Sequence, residues 1–321
     1  MPHFAFDYAF NINFSAPVRL HNYLLRCVPR TEFFQTIQDL RCTVHGEKVK
    51  LWPYTNTKYD SFGNIILSGM DAQDHTSFSI HVSGVVDHKP YRICDHAHGM
   101  YRVPSAFTLC TPEMLAMLRD ILDHHQDMVA NNSAEHKDYG VHALRLSDSQ
   151  EPNSINSMAS HAGKASREQF QLACAIAHAV HKRLHYVPQS THVETLAGEA
   201  FALNSGVCQD YTHITIALCR MAGIPARYAC GFIPGEGESH AWVEVYIHGV
   251  WYGIDPTQNR LIYHGYVKVA HGRDSADCPM NRGTFCPAPV SNASEINDNA
   301  TGSPSGPCTQ DTSISVKVTR L

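Results

Sequence analysis

The segment GVCQDYTHITIALCRMAGIPARYACGF, residues 206–232, constrains this chain more than any other. SHAWVEVY (239–246) and WYGIDP (251–256) follow it closely. From Cys208, the positions Tyr211, Ile214, Thr215, Leu218, Met221 and Ala222 recur with a helical period of about 3.6, which predicts a helix with a buried face. Gly223 stands where a helix ends in the left-handed conformation, and Pro225 forbids continuation. Gly206 gives the chain freedom to turn tightly into the helix. Cys208 therefore falls in the first turn, where unpaired N–H groups and the positive end of the helix dipole favour a thiolate. The same N–H groups suit the oxyanion of a tetrahedral intermediate. Asp210, two residues on, opposes the thiolate only if it faces the sulfur, and helix residues two apart do not face each other.

Residues 240–255 read as a β-hairpin. Ala241, Val243, Val245 and Ile247 make one apolar face, and His240, Trp242, Glu244 and Tyr246 share the other. With His248-Gly249 as a two-residue turn, Ile247 pairs with Val250 and Trp242 faces Asp255. His240 and Asp255 are then diagonal neighbours on one face, with Cα atoms about 7–8 Å apart. An aspartate at that distance can fix the tautomer of the imidazole, and the imidazole can take the proton of Cys208. A lone cysteine packs more often as a small hydrophobe, a strand histidine is commonly structural, and an aspartate before proline commonly ends a strand. Their order and spacing together make Cys208, His240 and Asp255 the candidate catalytic residues.

At these residues the chain resembles the transglutaminase-like superfamily, in particular its bacterial cysteine proteins. GVCQDYTHI is similar to the nucleophile motif, SHAWVEVYI to the histidine motif and WYGIDPTQN to the aspartate motif. VKVAHGRDSADCPMNRG (267–283) resembles the segment that closes the catalytic domain. FDYAFNINFSAPVRLHNYLLRCVPR and YDSFGNIILSG resemble the β-rich region that often precedes it. The resemblance implies an α+β fold: a papain-like transglutaminase core, with a cysteine on a helix packed on an antiparallel sheet, behind a β-rich N-terminal domain. It implies Cys208 as nucleophile, His240 as base and acid, and Asp255 as orienter. The expected activity is cleavage or transfer of amide or peptide acyl groups through a thioester, with hydrolysis favoured. A non-catalytic binding module of the same fold is the alternative, and an arylamine N-acetyltransferase is a weaker one. The chain departs from true transglutaminases in lacking, upstream of Cys208, a match for their oxyanion-assisting tryptophan. Trp52 is the only tryptophan there, and Tyr186 in HYVP is the candidate substitute.

A length of 321 residues allows two domains with substantial cores. The expected division is a β-rich domain at 1–105, a helical connector and mobile loop at 106–165, and the catalytic core at 166–321 with a low-complexity insertion near 288–313. A net charge of −5 with mixed signs and no long basic run argues against nucleic acid. The partner that the thiol chemistry and the resemblance imply is a peptide or protein amide. No run approaches the about 18 apolar residues of a membrane span, and the start lacks a signal peptide's regions. Eleven cysteines without a framework spacing suggest reduced thiols in the cytoplasm. The sequons at Asn131, Asn292 and Asn299 are then chance matches.

Strands are expected at 4–10, 18–26, 64–69 and 77–86. A helix is expected from Thr111-Pro112, ending at His124-His125. A second is expected from a capping box at Ser166–Gln169, and a short one over 194–204. Cys94, His96 and His98 could face one way on a strand, but no second Cys/His pair follows at a zinc spacing. No metal and no cofactor are therefore expected. PGEGES reads as a flexible loop beside His240 and not as a phosphate loop, and Arg273-Asp274 reads as a structural ion pair, with substrate contact as the alternative.

Overall fold

A computed structural model of the chain describes residues 1–49, 58–130, 145–146, 164–288 and 308–321. Trp52, the three sequons, most of the Ser/Asn-rich stretch at 145–165 and most of the insertion near 288–313 lie outside the described residues.

The first sheet is built on one long strand, β1 (His3–Leu25). The strands expected at 4–10 and 18–26 are one element, because β1 changes partners partway along. Its first half pairs with His75–His88 and with Gln310–Arg320, and its second half with Ile65–Asp71 and Asn281–Pro287. The switch falls at a bulge between Asn13 and Val18. Pro17 lies inside that bulge, where it takes no donor from the ladder. A second strand, β2 (Gln35–Val44), escaped the sequence reading. It shifts register between Gln38 and Arg41, with Asp39 at φ 49°, which breaks the alternation that marks a strand. β3 (Ile65–Asp71) and β4 (His75–His88) are the next long strands. The last strands of the chain, Asn281–Pro287 and Gln310–Arg320, also join this sheet, so the 166–321 segment is divided between two sheets.

α1 (Pro112–Ala130) starts as expected, with the Thr111 hydroxyl accepting the Met114 N–H at 3.3 Å. It runs five residues past His125, so His124-His125 are interior helix residues and His125 is buried. α2 (Lys164–Arg183) already contains Ser166, so Ser166 is not its N-cap. α3 (Ala197–Leu203) is the short helix expected before the nucleophile. α4 (Cys208–Met221) is buried on all sides from Asp210 to Arg220, while Met221, expected in the core, is exposed. Its C-terminus is a Schellman motif. The Ile224 N–H bonds the Cys219 carbonyl, the Gly223 N–H bonds the Arg220 carbonyl, and Gly223 sits at φ 78°.

The second sheet is antiparallel along β5 (Ala226–Phe232), β7 (His240–Ile247), β8 (Val250–Asp255) and β9 (Val267–Gly272). Between β5 and β7, β6 (Gly235–Gly237) is a strand and not a loose loop. It pairs with Gln310–Arg320 of the first sheet and adds a Glu236–Lys317 ion pair. Ala241, Val243, Val245 and Ile247 pack in the core that contains Ile214 and Leu218 of α4. The other face carries Phe34, Tyr91, Tyr101, Trp242, Trp251 and Tyr266. The two sheets meet at Phe232, which stacks on Tyr8 with ring centroids 5.1 Å apart.

Gly231 pairs with His240, and a Cβ there would lie 2.0 Å from the Val267 carbonyl oxygen. Gly231→Ala must push β5 and β9 apart. The expected result is a stability loss of about 1–3 kcal/mol, read from the urea midpoint. An unchanged midpoint would contradict this packing. Among the described residues no helix is long and apolar enough to cross a membrane, and all eleven cysteines are free.

Candidate active site

Cys208 is the first residue of α4 and is half-buried, following an extended N-cap at Val207. The Val207 N–H and the Thr191 hydroxyl both donate to Asp210 Oδ2, at 2.8 and 2.6 Å. Asp210 thus caps its own helix start. Burial raises its carboxyl above the ordinary range, and these two hydrogen bonds oppose the rise. The capping explains Gly206 differently from the sequence reading. A Cβ there would come within 2.7 Å of the Asp210 side chain, so the glycine makes room for the cap.

The hairpin has the register expected of it. Ile247 pairs with Val250 and Val243 with Ile254, and the turn residues His248 and Gly249 stand at φ 46° and 89°. Positive φ at both positions is the type I′ geometry that matches the twist of two paired strands. His240 and Asp255 therefore meet: His240 Nε2 donates to Asp255 Oδ2 at 2.7 Å, with Asp255 fully buried and His240 nearly so. An ionised carboxylate only accepts, so the proton is on Nε2 and the Nδ1 of the neutral ring carries the lone pair.

Burial alone would lower the His240 pKa. The Asp255 charge and hydrogen bond, followed by a hydrogen bond and charge from Cys208, outweigh it and raise it to about 10. Burial pushes the Asp255 carboxyl up, and it nevertheless ends below its ordinary value because His240, Tyr266 and the Gln258 N–H stabilise its charge. The three candidate residues are thus brought together, with an imidazole that holds a proton well above neutrality beside a sulfur. That arrangement can stabilise a thiolate and return a proton to a leaving group.

Two features escaped the sequence reading. Tyr266 donates to Asp255 Oδ2 at 2.6 Å. It follows the hairpin on a separate segment, and no local pattern links it to Asp255. Behind the site lies a buried ionic cluster in which Glu244 meets Arg227 and Lys268 and accepts the Tyr91 hydroxyl, while Tyr91 accepts the Trp242 N–H. Tyr186 is 56% exposed on a two-residue strand beside Ser205-Gly206. Its phenol is raised by burial and then by the nearby charges of Cys208 and Glu238. Arg273 pairs in bidentate fashion with Asp277 and not with Asp274, which caps the following turn through the Ala276 N–H. Cys94, His96 and His98 are exposed and lie beyond the two-residue strand at Arg92–Ile93. Among the described residues no three His, Cys, Asp or Glu side chains are disposed to hold a metal ion.

Residues 157–256 match the family model of the Transglutaminase-like superfamily, and residues 5–87 match that of the Bacterial transglutaminase-like N-terminal region. An uncharacterised protein of Mycobacterium leprae is 34% identical over 113 residues, which are 32% of this chain and 40% of that protein. An uncharacterised protein of Mycobacterium bovis is 34% identical over 114 residues, 30% of this chain and 36% of that protein. The chain thus spans two-fifths or less of the length of these curated relatives. The crystal structure of a candidate cysteine protease from Cytophaga hutchinsonii covers 100% of this chain and 91% of its own, at a TM-score of 0.58 and 19% identity, a likeness of fold. With one match spanning Cys208, His240 and Asp255 and the other spanning the opening strands, the chain belongs to the transglutaminase-like superfamily, carrying that superfamily's core behind a bacterial transglutaminase-like N-terminal region.

Proposed function

We propose that this chain is a cysteine amidase or peptidase of the transglutaminase-like superfamily, acting through Cys208, His240 and Asp255. The Cys208 thiolate attacks the carbonyl carbon of an amide or peptide bond, and the oxyanion is held by N–H groups of the first turn of α4. The C–N bond then breaks, the leaving amine takes the proton of the His240 imidazolium, and a thioester remains. Water attacks the thioester, His240 accepts its proton, and the C–S bond breaks to release a carboxylic acid. Asp255 keeps the imidazole oriented throughout. Transfer to a second amine is the same sequence with the amine in place of water. Hydrolysis is favoured because half-buried Cys208 leaves the thioester within reach of solvent.

The observation that carries the reading is the buried 2.7 Å hydrogen bond from His240 Nε2 to Asp255 Oδ2, on a histidine that also interacts with Cys208. The 1–105 segment is assigned an accessory role, with the chemistry in the segment from residue 166 on. The test is a mixture of peptides and primary amides incubated with the protein, with new amines and carboxylic acids read by mass spectrometry. Cys208→Ala is expected to lower any hydrolysis by about 10⁴-fold or more. Turnover that survives Cys208→Ala unchanged would exclude the mechanism.

A further inference from the structure

We infer that Tyr266, backed by Arg260, is a positioning residue that shares the charge of Asp255 with His240 and so limits how firmly the imidazolium keeps its proton; this rests on the thiol chemistry proposed above. Asp255 is fully buried, and three donors reach its carboxylate. Oδ1 accepts the Gln258 N–H at 3.0 Å, and Oδ2 accepts both His240 Nε2 at 2.7 Å and the Tyr266 hydroxyl at 2.6 Å. A hydroxyl donating to a carboxylate at that distance is a charge-assisted bond. It draws negative charge from the very oxygen that holds the imidazole, and three fixed donors leave the carboxylate no room to rotate.

Tyr266 is itself held from two sides. Its ring stands edge-on to Trp242, with centroids 5.3 Å apart at 89°. Trp242 in turn is fixed by its N–H bond to Tyr91 at 2.9 Å. Arg260 pairs with Asp255 across the ladder, and its charge acts on the Tyr266 phenol. A guanidinium near the phenol oxygen polarises its O–H and makes it a better donor toward Asp255. The charged and titratable groups facing His240 are then Asp255 from β8, Cys208 from α4, and Tyr266 with Arg260 from the segment leading into β9.

The consequence is catalytic balance. An imidazole bonded to an unshared carboxylate holds its proton more tightly, which weakens the driving force for handing it to a leaving amine. Tyr266 relieves part of that hold without moving the carboxylate.

The test follows the imidazole signals of full-length, ¹⁵N-histidine-labelled protein by NMR from about pH 5 to about pH 11, with His240 assigned from His240→Ala. Tyr266→Phe keeps the ring against Trp242 and removes only the donor. It is expected to raise the His240 midpoint by about 0.5–1 pH unit. Arg260→Gln is expected to move it in the same direction by less, and serves if Tyr266→Phe fails to fold. A midpoint that stays in place or falls in both variants would overturn the inference, because a purely structural tyrosine would not move it upward. Iodoacetamide labelling of Cys208 in the same wild-type sample separates this outcome from failure of the proposed function. A sluggish Cys208 would overturn the chemistry, whatever Tyr266 does to His240.

Discussion

Glu244→Ala is expected to cost about 3–5 kcal/mol of stability, the range for removing one partner of a buried ion pair. Glu244, Arg227 and Lys268 are almost completely buried. Arg227 Nε lies 2.5 Å and Lys268 Nζ 2.9 Å from the Glu244 carboxylate, and the Tyr91 hydroxyl donates to it. Burial would push the Glu244 carboxyl up, yet Arg227 and Lys268 together hold it down at about 2. Without that carboxylate two cations remain in the interior, and the remaining acid is Glu32, 3.7 Å from Lys268. Arg227 also lies over the Trp251 ring at 4.0 Å, a contact that softens the loss without replacing a counter-charge. Urea unfolding of wild type and variant reads the difference. A cost under about 1 kcal/mol would mean that the cluster is wet or the cations are free to leave. The damage should reach the site as well, because Glu244 holds Tyr91, Tyr91 holds Trp242, and Trp242 and His240 share one face of β7.

The second large effect is loss of stability in mild acid. Burial first, and then Arg220, lowers the His213 pKa to about 3, while burial and His264 lower that of His88 to about 3. Both rings use a lone pair on a backbone donor: His213 Nε2 accepts the Ser275 N–H at 3.2 Å, and His88 Nδ1 accepts the Gly265 N–H at 2.9 Å. The unfolded chain takes up these protons near pH 6.5, and the folded chain does so only near pH 3. Their contribution is therefore complete above pH 6.5 and is lost as pH falls from there toward 3, by about 1.4 kcal/mol per pH unit for each histidine. His240 works in the opposite sense. With a folded value of about 10, its contribution is complete below pH 6.5 and is lost as pH rises through 10. It cannot offset the acid loss, because it does not change below pH 6.5. The melting temperature is expected to peak near pH 6.5 and fall on the acid side, with a shallower acid slope in His88→Gln. A melting temperature that stays flat from about pH 6.5 to about pH 4 would contradict these buried neutral rings.

Local signals carried much of the site. α4 was legible because its start and end are both written in nearby residues, Gly206 before Cys208 and Gly223-Pro225 after Met221. The His240–Asp255 contact was legible because one short turn sets the register of a hairpin, and two positive φ angles at His248-Gly249 hold that turn. What lay beyond local pattern was missed. β2 was hidden by its bulge, and the capping-box pattern at Ser166 marked a helix that had already begun. Arg227 on β5, and Tyr266 and Lys268 on the run into β9, reach the site face from two segments, and the register between segments far apart in sequence is set by packing, not by any short motif. The same holds for Gln310–Arg320, which crosses the whole chain to pair with β1.

The central claim, an activated thiol in a site assembled by His240 and Asp255, is tested most directly by iodoacetamide alkylation of Cys208. Rates are read by mass spectrometry across about pH 5 to about pH 9 in wild type and in His240→Ala. The other cysteines are an internal reference: burial pushes the thiols of Cys42, Cys110 and Cys219 up to about 12, 11 and 12, and Cys94 and Cys286 are exposed. The account predicts labelling of Cys208 at neutral pH about tenfold or more faster than any of them, and a clear slowing in His240→Ala. Labelling no faster than the exposed cysteines and indifferent to His240 would contradict it.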